Sequence, residues 1–144
     1  MTKPELVLHK SSRIKGRLDR IRDGVGVQKN VFAAEPTRIE QVAFNMFLAM
    51  QECLDMSSHI VSDEGWGTPA TLAETFDVLE KRGVLTPETA AAMRRGTRLR
   101  NLIAHAYGDL DPEKLFDAAS SGILQIGRYL AEVGDWMARS SSSG

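Results

Sequence analysis

An all-α, up-and-down bundle of four or five helices is the fold this sequence predicts. Apolar residues recur at the i, i+3, i+4, i+7 spacing of a helix with one buried face. Cap residues and turn residues divide the chain into short-linked segments. No stretch alternates with period two between turn signals, so no strand is expected.

The first helix carries a weak stripe, Ile14, Leu18, Ile21 and Val25, and glycines at 16, 24 and 26 fray it near Gly24. Val27 to Ala34 reads as a connection. Thr37 with Glu40 three residues on has the spacing of a capping box, opening the second helix. That helix has the clearest stripe: Ile39, Val42, Ala43, Met46, Phe47, Met50, Cys53, Leu54, Ile60 and Val61. Phe44 and Leu48 lie off the stripe and widen the apolar face. A neighbouring helix or a second subunit has to cover them.

Ser62 to Gly67 reads as a loop, and Thr68-Pro69 as a cap with proline at the first helical position. Leu72, Phe76 and Leu79 give this third helix an apolar edge, and Gly83 ends it. Thr86-Pro87-Glu88 repeats the cap. The fourth helix buries Ala92, Gly96, Leu99, Ile103 and Ala106, with Gly108 as the glycine past its end. Asp111-Pro112 opens the fifth, whose seam is Leu115, Ala119, Ile123, Ile126, Leu130, Val133 and Met137. Residues 1–139 read as one domain, and the Ser-rich 140–144 as a disordered tail.

A chain of 144 residues buries about 68–70% of its unfolded surface without staples. Cys53 is the single cysteine, which excludes an internal disulfide and a cysteine-based zinc site; in its apolar run it reads as a buried, inert thiol. No apolar run is long enough to span a bilayer, and charges occupy the N-terminus where a signal peptide needs an apolar core. A cytoplasmic protein without membrane contact is the expectation. The net charge of -1 is uninformative, but its distribution is not. Thr89 to Gly108 contains no acid and includes Arg94, Arg95, Arg98 and Arg100. The first helix adds Lys10, Arg13, Lys15, Arg17, Arg20 and Arg22 against Asp19 and Asp23. Such clusters suit a polyanion, although a solvated helix face is the commoner origin of the pattern.

The chemistry concentrates in Arg100-Asn101-Leu102-Ile103-Ala104-His105-Ala106-Tyr107. At about 100° per residue, Arg100 and His105 lie roughly 140° apart, whereas Asn101, His105 and Arg98 share a face. Two copies meeting on a two-fold axis would pool two Arg and two His in one cleft, which makes a homodimer a mechanistic expectation. Such a set suits metal-independent RNA cleavage. His105 is the general base or acid, Arg100 grips the phosphate, and Asn101 orients the imidazole or bonds the phosphate. Arg98, Arg95 and Arg94 are candidate RNA contacts. No carboxylate pair or histidine set with metal spacing accompanies them, so neither metal nor cofactor is expected. Taken singly, His105 is more often a structural histidine, and Tyr107 a helix-end aromatic.

Arg-x4-His-x-Tyr with Asn after the Arg resembles the signature of the HEPN superfamily, most closely the HepT-like toxins. The likeness extends to Gln51 to Pro69, with Cys53-Leu54-Asp55-Met56 before His59-Ile60, and runs from about Arg13 to Trp136. It implies a homodimeric endoribonuclease toxin of a type VII-like toxin–antitoxin system, with Arg100 and His105 of both subunits in the cleft. It further implies a minimal nucleotidyltransferase antitoxin that transfers AMP from ATP to Tyr107. The rival reading is the same bundle without turnover, a binding subunit for a nucleotidyltransferase. Two further residues stay open. Asp55 and His59 can pair at i, i+4 or serve structure separately; Trp66 can stack on a base or pack its own loop.

Overall fold

The computed structural model describes residues 1–142; among them are six α-helices, one 3-10 turn and no strand. Helix α1 (Pro4–Gly24) buries Ile14, Leu18 and Ile21, and it stops at Gly24 as its glycines predict. Helix α3 (Pro36–Asp63) is the axis on which α1, α4 (Glu74–Lys81) and α5 (Pro87–His105) pack; α6 (Pro112–Ser142) closes the bundle against α1, α5 and α3. The expected stripe is buried along α3 from Val42 to Val61 except at Phe47, which is half-buried under the Arg100 guanidinium; Ile39 is half-buried too.

One buried hydroxyl cluster ties α3 to α6. The Tyr129 hydroxyl donates to the Cys53 carbonyl at 3.0 Å and meets the Ser57 hydroxyl. Burial pushes the Tyr129 phenol well above its ordinary value, with Cys53 adding to the rise and the Ser57 bond opposing it. Cys53 is fully buried, and burial followed by the nearby Glu52 charge pushes its thiol up too. It is an inert core residue.

Several helix starts differ from expectation, each for a local reason. The segment expected as a connection contains a sixth helix, α2 (Lys29–Ala33). Its Phe32 is fully buried and meets Phe116 edge-on at 5.4 Å, and Lys29 pairs with Asp117 of α6 at 2.8 Å; the two contacts hold a five-residue helix in place. Helix α3 is capped by Glu35, with Pro36 at its start and no side-chain cap bond, so the Thr37 box does not form. The proline's fixed φ starts the helix before Thr37 can act as cap. Thr68-Pro69 does not start α4 either; the chain stays irregular until Glu74. The working cap is Thr71, whose Oγ1 accepts from the Glu74 N–H at 3.3 Å while the Glu74 carboxylate accepts from the Ala70 N–H at 3.0 Å. Leu72 is therefore in the loop and 44% exposed, leaving Phe76 and Leu79 as the apolar edge.

Thr86 caps α5 as expected, accepting from the Thr89 N–H at 3.3 Å, and Asp111 caps α6 through the Glu113 N–H at 2.9 Å. Gly83 follows α4 at φ 77, where glycine is favoured. Gly108 plays no such part: α5 ends at His105, Ala106 is its C-cap, and Gly108 lies inside the 3-10 turn Tyr107–Asp109 without positive φ. The tail expected from Ser140 continues α6 through Ser142, whose hydroxyl donates to the Ala138 carbonyl at 2.8 Å; residues 143–144 lie outside the described residues. No helix is long and apolar enough to cross a membrane among the described residues.

Candidate functional site

The last two turns of α5 project past the core. Ala92 and Met93 are buried, Leu99 and Ile103 are half-buried, and Asn101, Leu102 and His105 are exposed. Helix α3 runs beside this end and presents Phe44, Phe47, Leu48, Gln51 and Asp55 along one outward face. Phe44 is 59% exposed and Leu48 half-buried, so among the described residues no helix fully covers the second apolar face of α3.

Arg100 wraps over α3 instead of pointing along its own helical direction. Its Nε and Nη2 both donate to Gln51 Oε1, at 3.1 and 2.7 Å, and its Nη1 donates to Asn101 Oδ1 at 2.9 Å. The guanidinium carbon lies 5.0 Å from the Phe47 ring centre, a cation–π contact. A guanidinium has five N–H donors, and three bonds leave two of them free. Gln51 in turn donates from Nε2 to Asp55 Oδ1 at 3.1 Å.

His105 ends α5 in solvent, with no hydrogen bond or ion pair to another described residue. Asn101 is joined to Arg100 and not to His105, so within one chain the Arg and Asn come together and the His stays apart. Tyr107 follows in the 3-10 turn, 42% exposed, beside a pocket of about 300 Å³ lined by Pro36, Ile39, Glu40, Leu110 and Pro112. Partial burial and then the Glu40 carboxylate raise its phenol above the ordinary value. It is a neutral phenol at neutral pH.

The other candidates separate. Arg95 and Arg98 are exposed. Arg94 turns to α4, where it bonds Asp77 at 2.6 Å and Glu80 at 3.4 Å. On α1, Arg13 and Arg17 reach Glu52, and Arg22 pairs with Asp19, so part of the basic surface is neutralised locally. Asp55 bonds Gln51 and not His59. Trp66 packs edge-on against Trp136 at 5.7 Å under the Arg82 guanidinium, which is loop packing. No group of three or more His, Cys, Asp or Glu is placed to hold a metal among the described residues. Sequence reading missed Gln51 and Phe47 as partners of Arg100. The one available signal was their i, i+4 register with Asp55 on the face that also carries Phe44 and Leu48.

The family described as Ribonuclease HepT-like matches residues 14–133. The chain belongs to the HepT-like ribonuclease family. Among its relatives, the tRNA nuclease HepT of Aphanizomenon flos-aquae is 33% identical over 90 residues, which are 62% of this chain and 61% of that protein. The chain thus spans less than two thirds of that relative. The mRNA nuclease HepT of Shewanella oneidensis is 23% identical over 107 residues, 74% of this chain and 80% of the relative. In fold, this HepT-like chain is similar to a tri-AMPylated Shewanella oneidensis HEPN toxin solved in complex with an MNT antitoxin. The TM-score is 0.84 at 19% identity, covering 91% of this chain and 98% of the other.

Proposed function

We propose that this protein is a metal-independent endoribonuclease toxin whose site is assembled from Arg100 and His105 of two subunits. The observation that carries the reading is an arginine pinned at the surface with two donors unused, on the same helix end as a solvent-facing histidine. The imidazole removes the proton from a ribose 2′-OH as that oxygen attacks phosphorus, or returns a proton to the departing 5′-oxygen. The two free Arg100 donors hold the phosphate oxygens as negative charge builds on them. A single chain keeps the two groups on different sides of α5, and a two-fold pairing across the uncovered Phe44 face supplies the missing half of each set. Arg98 and Arg95 extend the cationic surface for RNA. The cytoplasm is the compartment this reading requires, and residues 1–139 act as one domain.

In the same reading the partner is a minimal nucleotidyltransferase antitoxin, and AMP transfer to Tyr107 silences the toxin. The tri-AMPylated state of the Shewanella toxin supports it, as does the exposed Tyr107 phenol two residues after His105. The added phosphate places negative charge beside the cations that grip RNA. The test uses the co-expressed pair and the isolated chain. His105→Ala is expected to abolish cleavage of tRNA and mRNA while folding and antitoxin binding persist. Mass spectrometry is expected to find AMP on Tyr107 and none in Tyr107→Phe. Undiminished cleavage by the histidine variant would remove the catalytic assignment, and an inert wild-type chain that still binds its antitoxin would favour a binding subunit.

A further inference from the structure

We propose that Gln51 and Asp55 are positioning residues that lock the Arg100 guanidinium in the orientation required to grip a phosphate. The inference rests on the ribonuclease reading of Arg100 and adds two side chains of α3 to it. The Gln51 carboxamide lies between groups of opposite and fixed polarity. A guanidinium only donates, and an ionised carboxylate only accepts. The observed amide satisfies both, its oxygen taking two bonds from Arg100 at 3.1 and 2.7 Å and its nitrogen giving one to Asp55 at 3.1 Å. Turning the amide over would break all three contacts and set N–H against N–H and oxygen against oxygen. One orientation is therefore imposed from both sides.

The same α3 face fixes the guanidinium in the other directions. Phe47, Gln51 and Asp55 follow at i, i+4 and i+8, so the ring that stacks on Arg100 and the amide that holds its edge come from successive turns. Asn101 takes one Nη1 hydrogen at 2.9 Å. The two unused hydrogens are one on Nη1 and one on Nη2, which leaves both terminal nitrogens with a donor for phosphate oxygens. An arginine already held in this way loses little further freedom when it binds, and its fork stays aimed at the place where charge builds. A lysine-like point charge needs no such support; a planar fork does.

The experiment measures kcat and KM on a labelled RNA for the full-length wild type, Gln51→Ala, Asp55→Ala and Asp55→Asn, with Arg100→Ala as reference. Gln51→Ala is expected to lower kcat by about tenfold to a hundredfold with a smaller change in KM, the range that misplacement of a reacting group produces. Asp55→Ala should lower kcat by about threefold to tenfold, and Asp55→Asn should recover most of that loss, since its amide oxygen accepts the same bond without the charge. In the Arg100→Ala background, Gln51→Ala should add nothing. Additive losses in that background, or Asp55→Asn failing like Asp55→Ala, would overturn the lock. A second readout works without turnover: the 15N-resolved Arg100 Nε–H signal should be protected from exchange in wild type and Asp55→Asn, and exposed in Gln51→Ala. An unchanged signal in Gln51→Ala also overturns the lock. Full cleavage by Arg100→Ala would instead remove the ribonuclease role of Arg100.

Discussion

Arg100 illustrates how much one side chain depends on residues far from it in sequence. Its motif neighbours were legible as a run of eight residues, but its main partner, Gln51, is 49 residues away. No local pattern encodes that pairing; the packing of α5 on α3 does. Tyr129 makes the same point in the core, where its hydroxyl bonds Cys53 and Ser57 across the α3–α6 contact. Tyr129→Phe is expected to lower stability at neutral pH by about 1 kcal/mol, since the Ser57 hydroxyl, four residues after Cys53, can take over the vacated carbonyl. The alkaline limb carries a second signature. The folded phenol titrates well above its unfolded value, so its contribution is complete below about pH 10 and is lost as pH rises through the folded value. Urea unfolding at pH 7 and near pH 11 checks both: wild type should lose more stability between them than Tyr129→Phe.

At the scale of the element, the helices with strong stripes were readable and the weakly encoded boundaries were not. Thr86 and Asp111 cap where expected, each with a proline after it and a side-chain oxygen that accepts a first-turn N–H. Thr37 and Thr68 carry comparable signals without capping. At Pro36 the chain enters the helix two residues earlier, and after Gly67 it stays irregular until the Thr71–Glu74 pair. Thr86 does more than cap: its hydroxyl also reaches the Glu132 carboxylate of α6 at 3.3 Å, whereas its backbone N–H bond to Glu132 at 2.7 Å survives in alanine. Thr86→Ala should therefore cost about 1 kcal/mol or somewhat more, the usual range for a cap, read from the urea midpoint at unchanged m-value.

For the molecule as a whole, the open question posed by the sequence was what covers the second apolar face of α3. The folded chain leaves Phe44 59%, Leu102 36% and Tyr107 42% exposed, around the same end of α5 that carries the motif. Exposed apolar residues grouped beside a polar site mark an association surface. On the two-subunit reading proposed above, Phe44→Asp is expected to shift the chain from dimer to monomer by light scattering at micromolar concentration, and cleavage should fall with the dimer fraction. A monomer that cleaves RNA at the wild-type rate would separate activity from pairing.

Helical class, the buried stripes of α3 and α6, the inert Cys53 and the Arg–His–Tyr run were all legible in residue order alone, because each depends on spacing within a short stretch of chain. The short α2, the start of α4, the pairing of Arg94 with Asp77 and Glu80, and the hold of Gln51 on Arg100 were decided only in three dimensions. Each of those depends on which faces meet, and hydrogen bonds between distant helices leave no periodic trace in a linear chain.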